Sequence, residues 1–359
     1  MKIVHIVGNR PQFIKLVLLN KALQAGSTQN IILHSGQHFD KNMSGIFFDQ
    51  LNIPMPDYTL GVNSLEHNEM IGQMLMEIDR VLTIEKPSCV IVYGDTNTTL
   101  AGALAAKKRN IPVAHIEAGI RTMDETMPEE TNRYITDRIA TLNFCCTNTG
   151  VENLKKEGYF SGAIHSSVYN SGDLMLDACL HFKDIALEQA KLQSEIKLQE
   201  PFVLATIHRA ENTENIKSLQ NIIAALNNIH QHTAVIFPMH PKTKALILQH
   251  GISITFNMLD AMGYFDMLAL AQKCTSVITD SGGLSRESFF LKKPTLVLMK
   301  KPFWPEIFVH GNCMQSEANT EEIVMKYQLL LSADKSFKID VFGNGKAAEN
   351  ISNIILSSF

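Results

Sequence analysis

The sequence has few cysteines, no dominant charge and no long apolar run, and each shortage excludes a class of protein. Its 359 residues contain six cysteines and no CxxC pair, which favours buried free thiols in a reducing compartment over a metal site. Basic and acidic residues number 32 and 36, for a net charge of −4, so neither nucleic acid nor a membrane surface is an expected partner. No apolar run approaches the roughly 18 residues that span a membrane, and Met1–Gly8 is too short for a signal peptide. These features predict a cytoplasmic protein.

The chain does contain enough apolar material for two cores, at 45% hydrophobic residues. Short apolar runs alternate with longer helical patterns, which predicts βαβ units and a parallel sheet. The strands predicted in the first half are Ile3–Val7, Ile31–His34, Cys89–Val92, Val113–Ile116 and Leu142–Cys145. The clearest helix covers Glu66–Lys86, where apolar residues recur at spacings of four, three and four and form one face.

The same alternation begins again after Pro201. The strands predicted there are Phe202–Ala205, Ala234–Phe237, Ser253–Phe256, Ser276–Ile278 and Thr295–Leu298. The predicted fold class is therefore α/β, with two doubly wound Rossmann-like domains facing a cleft. We expect an N-terminal domain over 1–169, a C-terminal domain over 170–345 and a last helix within 346–359. One arrangement open to this helix is packing against the N-terminal domain.

Three carboxylates follow predicted strands of the first domain or lie just downstream. Asp95 comes after Cys89–Val92, Glu117 directly follows Val113–Ile116, and Glu129 lies 12 residues further along the chain. Ligands of open α/β sheets bind where parallel strands end, so this grouping predicts proton transfer. The ordinary alternatives are that Asp95 caps the helix near Asn97 and that Glu129 is a first-turn helix residue.

Basic and glycine-rich loops point to an anionic ligand. Arg10 follows the first strand at the start of a helix, and Lys15 lies one turn further; an ordinary βα loop with a surface arginine is the alternative. Ser281, Gly282 and Gly283 lie between a strand and a helix, where backbone N–H groups can hold a diphosphate. Glu287, one turn beyond them, suits the hydroxyls of a ribose.

Histidines complete the candidate set. His208 follows the first strand of the second domain, and an imidazole there could act as a general acid or bind phosphate. His240 lies at the end of the next strand, and Gln37-His38 follow the second strand of the chain. The alternative for each histidine is an ordinary loop residue satisfied by its neighbours.

Taken in order, these motifs resemble the non-hydrolysing UDP-N-acetylglucosamine 2-epimerases over nearly the whole chain. The matching segments are Gly8-Asn9-Arg10-Pro11, Gly36-Gln37-His38, Gly94-Asp95-Thr96, His115-Ile116-Glu117-Ala118-Gly119, Pro128-Glu129-Glu130 with Asn132-Arg133, His208-Arg209 and Asp280-Ser281-Gly282-Gly283. The resemblance implies a glycosyltransferase-B type fold, inversion at C2 of a UDP-linked N-acetyl sugar, and no redox cofactor or metal.

The resemblance also implies roles for single residues. Asp95, Glu117, Glu129 and His208 would be catalytic. The substrate-binding residues would be Arg10, Lys15, Arg133, His240, Ser281, Gly282, Gly283 and Glu287. The implied route is elimination of UDP to a 2-acetamidoglycal and its readdition with protonation from the other face. A homodimer and a role in surface polysaccharide synthesis are expected, and activation by a second UDP-sugar stays open.

Some segments depart from the common family pattern. Gln12 stands where many members have glutamate, Ser285-Arg286-Glu287 replaces Gln-Glu-Glu, and Met299–Glu306 lacks an arginine and a Thr-Glu pair. Others resemble a branch that also includes UDP-2,3-diacetamido-2,3-dideoxyglucuronate 2-epimerases: Arg10–Lys15, Gln37–Asp40 with Asn42-Met43-Ser44, and Gly172–Met175. The remaining alternatives are a hydrolysing 2-epimerase, a glycosyltransferase and a non-catalytic UDP-sugar sensor.

Overall fold

The computed structural model describes residues 1–36, 51, 53–63, 65–190, 201–333 and 337–359. The chain divides into two compact units, one of Met1–Leu180 with Asp340–Phe359 and one of His181–Ile339. The first unit therefore continues past the predicted end at residue 169. It does so because Asp173 donates its backbone N–H to the Phe342 carbonyl at 2.9 Å, within the same unit.

The first unit is built on a seven-stranded parallel sheet with the strand order β3-β2-β1-β4-β5-β6-β7. Its strands are β1 Lys2–Val7, β2 Gln29–His34, β3 Tyr58–Thr59, β4 Cys89–Tyr93, β5 Val113–Ile116, β6 Leu142–Cys145 and β7 Ser167–Asn170. The central strands are mostly apolar because helices cover both faces of a parallel sheet. All residues of β4 are buried, for example.

The second unit contains a six-stranded parallel sheet with the order β10-β9-β8-β11-β12-β13. Its strands are β8 Phe202–Thr206, β9 Ala234–Pro238, β10 Asn257–Leu259, β11 Ser276–Thr279, β12 Thr295–Val297 and β13 Cys313–Gln315. The prediction of two doubly wound α/β sheets is confirmed. The predicted strand Ser253–Phe256 is wrong, because the observed strand begins at Asn257, directly after the predicted segment ends.

Helices connect the strands in both units. In the first unit they are α1 Arg10–Ala25, α2 His67–Glu85, α3 Asn97–Lys108, α4 Pro128–Ile139, α5 Asn148–Lys156, the start of α6 Leu174–Gln189, and α13 Ala347–Ser358. In the second they are α7 Ala210–Thr213, α8 Ile216–His230, α9 Pro241–Gln249, α10 Tyr264–Lys273, α11 Gly282–Phe290 and α12 Thr320–Ser332. Within the described segments, no helix has the length and apolar character that crossing a bilayer requires.

Each sheet has one point where the strand order reverses. In the first it lies between β1 and β4, and in the second between β8 and β11. The loops that leave these strand pairs diverge to opposite sides of the sheet, which opens a crevice where ligands bind in doubly wound folds. The fold therefore directs attention to the loops that begin at Gly8, Gly94, Ile207 and Asp280.

Candidate active site

The loop after β1 forms one wall at the reversal point of the first sheet. Asn9 caps α1 by accepting the Gln12 N–H at 3.2 Å, and the half-buried Arg10 is the first helical residue. Gly8 is required by close packing, since a Cβ there would lie 2.3 Å from the Thr98 hydroxyl oxygen. The prediction of Arg10 at a helix start is thus consistent with the structure, and its ligand stays a prediction.

Gln12 joins the two loops at this reversal point. Its Oε1 accepts the Gly8 N–H at 2.6 Å, and its Nε2 donates to the Tyr93 carbonyl at 2.6 Å. The side-chain amide also approaches the Thr96 and Thr99 hydroxyls at 3.1 Å each. An amide supplies both a donor and an acceptor, whereas an ionised carboxylate only accepts. Glutamine at this position therefore fits its surroundings, although the family pattern has glutamate.

Lys15 and Glu117 form a buried ion pair. The ammonium nitrogen lies 2.5 Å from Glu117 Oε2, and the two side chains are 4% and 10% exposed. Both groups lie beside Gly94, where an added Cβ would come within 3.8 Å of each. The structure therefore brings together two predicted site residues from α1 and from the end of β5.

The Glu117 backbone is held in the left-handed region, with φ of +73°. A residue with a Cβ gives up about 1–2 kcal/mol in that conformation, so its surroundings must impose it. The N–H groups of Glu117 and Ala118 both donate to the Phe144 carbonyl at 3.0 Å. Residues held in such a conformation cluster at functional sites, and Glu117 is the predicted site residue of the described chain that adopts it.

Arg133 connects two carboxylates. Its guanidinium donates to Glu130 Oε2 at 2.6 Å through one terminal nitrogen and binds Asp95 Oδ2 through the other. Asn132, its neighbour on α4, donates to the Asp95 carbonyl at 2.9 Å. Thr96, not Asp95, caps α3. Asp95 is thus oriented by α4, and the Arg133 side chain, 2% exposed, holds protein carboxylates.

The two acidic residues of the Pro128-Glu129-Glu130 segment have different environments. Glu130 is 1% exposed and accepts from the backbone N–H of Thr122 at 3.0 Å and that of Met123 at 3.1 Å, as well as from Arg133. Glu129 is half-buried in the first turn of α4, and no other described residue makes a hydrogen bond or ion pair with its carboxylate. Glu130 is therefore structural, while Glu129 is available to a ligand.

One group of ligand-type atoms lies close together in the first unit. The side-chain oxygens of Glu117 and Asp173 and the Cys146 sulfur lie within 4.8 Å of one another. Glu117 is paired with Lys15, and Asp173 Oδ1 accepts the Met175 N–H at 2.8 Å. The Glu117 and Asp173 carboxylates are thus engaged by other groups of the protein. All six cysteines of the chain are buried and free, as predicted.

Asp280 organises the reversal point of the second sheet. This carboxylate is fully buried and accepts the backbone N–H of His208 at 3.0 Å and that of Arg209 at 2.9 Å. The Asn212 amide donates to it at 3.1 Å, and His208 Nδ1 lies 3.2 Å away. The His208 imidazole remains 43% exposed. The carboxylate therefore fixes the loop while it leaves the ring accessible.

The predicted glycine-rich turn lies directly after Asp280. Ser281 caps α11, with its hydroxyl oxygen accepting the Leu284 N–H at 3.2 Å. Gly282 must lack a side chain, because a Cβ would lie 2.7 Å from the Phe303 ring. The same ring lies 4.8 Å from the Arg209 guanidinium carbon. A Cβ added at Gly283 would make no such close contact, since it would lie 3.8 Å from Ser281 Oγ.

The remaining predicted residues of the second unit lie around this turn. His240 caps α9, and its ring centre is 6.4 Å from that of His208. Glu287 is half-buried on α11, next to Arg286, whose guanidinium carbon lies 4.0 Å from the Trp304 ring centre. The stacking of arginines on Phe303 and Trp304 was not predicted, since the two partners are far apart in sequence. Gln37 and His38 lie outside the described residues.

Known proteins are similar to this chain over nearly its whole length. The family model described as UDP-N-acetylglucosamine 2-epimerase matches residues 21–356. A UDP-2,3-diacetamido-2,3-dideoxy-D-glucuronate 2-epimerase of Pseudomonas aeruginosa is 43% identical over 357 residues, which is 99% of each chain. A UDP-N-acetylglucosamine 2-epimerase of Methanocaldococcus jannaschii is 36% identical over 366 residues, again 99% of each chain.

Solved structures agree with these relatives. The Methanocaldococcus jannaschii UDP-GlcNAc 2-epimerase in complex with UDP-GlcNAc and UDP has a TM-score of 0.91, 36% identity and full coverage of both chains. The Neisseria meningitidis UDP-GlcNAc 2-epimerase bound to UDP-GlcNAc has a TM-score of 0.88 at 26% identity, also with full coverage. The chain belongs to the UDP-N-acetylglucosamine 2-epimerase family, whose members compared here are isomerases, as predicted.

Proposed function

We propose that this chain is a non-hydrolysing 2-epimerase that interconverts UDP-N-acetylglucosamine and UDP-N-acetylmannosamine. The observation that carries the proposal is the group of held carboxylates at the end of the first sheet. Glu117 is paired with Lys15, and Asp95 is oriented by Arg133. Glu129 lies in the first turn of α4 beside Arg133's other partner, Glu130.

The chemistry explains why several carboxylates are useful. The C2–H of the sugar is not acidic, because no carbonyl is adjacent to it in the ring. A base removes the C2 proton while the bond between C1 and the UDP oxygen breaks, which gives a 2-acetamidoglycal and UDP. UDP then adds back at C1, and an acid delivers a proton to C2 from the other face. Two protic groups with different positions are therefore needed.

Glu117 is our candidate for one of these groups and Glu129 for the other. The Lys15 ammonium, 2.5 Å from Oε2, fixes the position of the Glu117 carboxylate, and a fixed position is what a base acting at C2 requires. Glu129 is half-buried and is not engaged by another described residue, so its carboxyl group is able to exchange a proton with a ligand. Asp95 would orient the sugar, and Arg133 holds the Asp95 side chain in place.

The loops of the second unit are our candidates for holding UDP. Ser281 and Gly282 begin α11, and the partial positive charge of a helix N-terminus attracts phosphate oxygens. His208, fixed by Asp280 yet 43% exposed, would donate to the diphosphate when UDP leaves. His240, Gly283 and Glu287 are expected to contact the nucleotide as well.

A second substrate has its own support. The relative from Pseudomonas aeruginosa, 43% identical, is a UDP-2,3-diacetamido-2,3-dideoxy-D-glucuronate 2-epimerase. The reaction at C2 is the same for this sugar, and only the groups at C3 and C6 differ. The same carboxylates would serve either substrate, so the choice between them depends on contacts away from C2.

Proton NMR of the purified protein in D₂O tests the proposal with both substrates in parallel. The expected result is the C2 epimer of one of them with deuterium at C2 and no free sugar. Release of free N-acetylmannosamine would indicate a hydrolysing enzyme instead. Calorimetry with UDP provides the control, because binding without turnover of either sugar would favour a non-catalytic sensor and refute the epimerase.

A further inference from the structure

A fully buried histidine lies immediately behind the candidate site. His115 is on β5 and is 0% exposed. Its Nε2 lies 2.7 Å from the Gly94 carbonyl oxygen, and its Nδ1 lies 2.6 Å from Asp137 Oδ1. A carbonyl oxygen only accepts, and so does an ionised carboxylate. The imidazole therefore donates from Nε2 to the Gly94 carbonyl, and its contact with Asp137 joins the loop after β4 to helix α4.

The Asp137 carboxylate also contacts the loop after β5. Its Oδ2 accepts the Gly119 N–H at 3.2 Å and lies 2.8 Å from an Arg121 guanidinium nitrogen. Burial raises the pKa of Asp137, but the hydrogen bond and charge of His115, with those of Arg121, outweigh burial and lower it. One ionised carboxylate thus links the two loops, through His115 to Gly94 and directly to Gly119.

The charges of Asp137, Arg121 and Glu157 alternate along this network, so each of these buried or partly buried groups has a partner of opposite charge. The network continues from Asp137 through Arg121 to Glu157. Two guanidinium nitrogens of Arg121 donate to the Glu157 carboxylate oxygens, at 2.7 and 2.9 Å. The Arg121 side chain is 0% exposed, and its guanidinium carbon lies 4.2 Å from the Tyr134 ring centre. A buried network with every member satisfied is rigid, and this one is anchored on α4 and on the end of α5.

The two loops carry the candidate catalytic carboxylates. Asp95 directly follows Gly94, and Glu117 lies between His115 and Gly119 in a backbone conformation that its surroundings must enforce. Neither His115 nor Asp137 is exposed, so neither is placed to touch a substrate. Their contribution is the spacing between the Asp95 and Glu117 backbones.

We propose that His115 and Asp137 are positioning residues that fix Asp95 and Glu117 relative to each other for the proton transfers at C2. The inference rests on the proposed epimerase function. A shift of about 1 Å at a reacting group costs about 100-fold in rate, so loss of this link is expected to lower kcat. Substrate and UDP affinity should change little, because His115 and Asp137 lie in the first unit and the UDP portion is proposed to be held by loops of the second.

Two substitutions at His115 separate the two hydrogen bonds. In His115→Gln the amide nitrogen replaces Nε2 and keeps the bond to Gly94, while the bond to Asp137 is lost. In His115→Asn the amide nitrogen replaces Nδ1 and keeps Asp137, while the bond to Gly94 is lost. We expect kcat to fall about 100-fold in both, with KM and the UDP dissociation constant within about twofold of the native values.

His5→Asn is the matched control. His5 is also fully buried, lies on β1 of the same sheet, and its Nδ1 lies 2.7 Å from the Tyr93 hydroxyl. Asparagine keeps that bond, so kcat should stay within about twofold. A folded His115 variant of either kind with native kcat would overturn the proposal.

Amide hydrogen exchange gives a readout that does not depend on turnover. The amide hydrogens of peptides covering 94–97 and 117–120 should exchange faster in both His115 variants than in the native chain. Their exchange rates should be unchanged in His5→Asn. If the native chain epimerises neither sugar, this measurement still decides the positioning role, and unaltered exchange refutes it. If the variants do not fold, ¹⁵N NMR of the native chain decides: the His115 Nε2–H that faces the Gly94 carbonyl must be protected from exchange with solvent, and a hydrogen-free Nε2 contradicts the network.

Discussion

Replacing Arg133 with methionine removes the cation that joins two carboxylates of the candidate site. Burial by itself lowers the pKa of Arg133, but the neighbouring Asp95 and Glu130 outweigh burial and raise it. The guanidinium is therefore charged, and its side chain is 2% exposed. Arg133→Met leaves Asp95 and Glu130 without their shared partner.

The two lost ion pairs are expected to contribute unequally. The Asp95 side chain is 26% exposed, so water screens its pair and the loss there is about 0–1 kcal/mol. The Glu130 side chain is 1% exposed and lies 2.6 Å from the guanidinium. Removing the partner of such a buried charge costs about 3–5 kcal/mol. Arg133→Met should thus lower the free energy of unfolding by about 3–5 kcal/mol, mostly through Glu130.

Urea unfolding of a double-mutant cycle measures this difference. The cycle compares the native chain, Arg133→Met, Glu130→Gln and the double variant. Glutamine keeps an acceptor for the Thr122 N–H and removes the uncompensated charge. The double variant should therefore lose about 1–3 kcal/mol less than the sum of the single losses. Additive losses, or an Arg133→Met loss below about 1 kcal/mol, would refute the reasoning.

Three further predictions concern pH, catalysis and nucleotide binding. Burial lowers the pKa of His5 from 6.5 to about 3, so the free energy of unfolding falls as pH drops below the pKa of the unfolded chain. Between about pH 7 and pH 5 the native chain should lose about 2 kcal/mol more of this free energy than His5→Asn, as measured by urea unfolding. Equal losses in the two proteins would contradict this prediction. Glu117→Gln should lower deuterium incorporation at C2 by about 10²–10⁴-fold, with UDP affinity by calorimetry as the control; an equal loss of affinity would argue against a role in proton transfer. Asp280→Asn should weaken UDP binding about tenfold, because asparagine has one acceptor oxygen for the backbone N–H groups of His208 and Arg209; unchanged affinity would show that this loop does not contact the nucleotide.

The sequence predicts the central strands well and the edge strands poorly. Every central strand predicted from an apolar run is present, because a strand covered on both faces is predominantly apolar. The edge strands β3, β7 and β13 were missed, and the fourth edge strand, β10, was placed too early. Edge strands keep one side open to water, and all three residues of β10 are exposed or half-buried. Their composition therefore resembles that of a loop.

Residues at strand ends were predictable for a similar reason. Asp95 and Glu117 stand out because polar groups follow directly after buried apolar runs. Their partners do not stand out: Arg133 is 38 positions from Asp95, and Asp137 is 22 positions from His115. Those contacts depend on where α4 packs, which periodicity does not specify. Gln12 is a similar case, since its bond to the Tyr93 carbonyl spans 81 positions.

The adjacent pair Glu129 and Glu130 shows how structure changes the interpretation of a motif. Both residues lie one helical turn before Arg133, at spacings of four and three, and both spacings allow an ion pair. The structure selects Glu130, which is buried against two backbone N–H groups and Arg133. All contacts of the Glu130 carboxylate are therefore with protein groups, and its pairing with Arg133 helps to hold the guanidinium beside Asp95. Our proposal accordingly gives the proton-transfer role to Glu129, the less buried of the two.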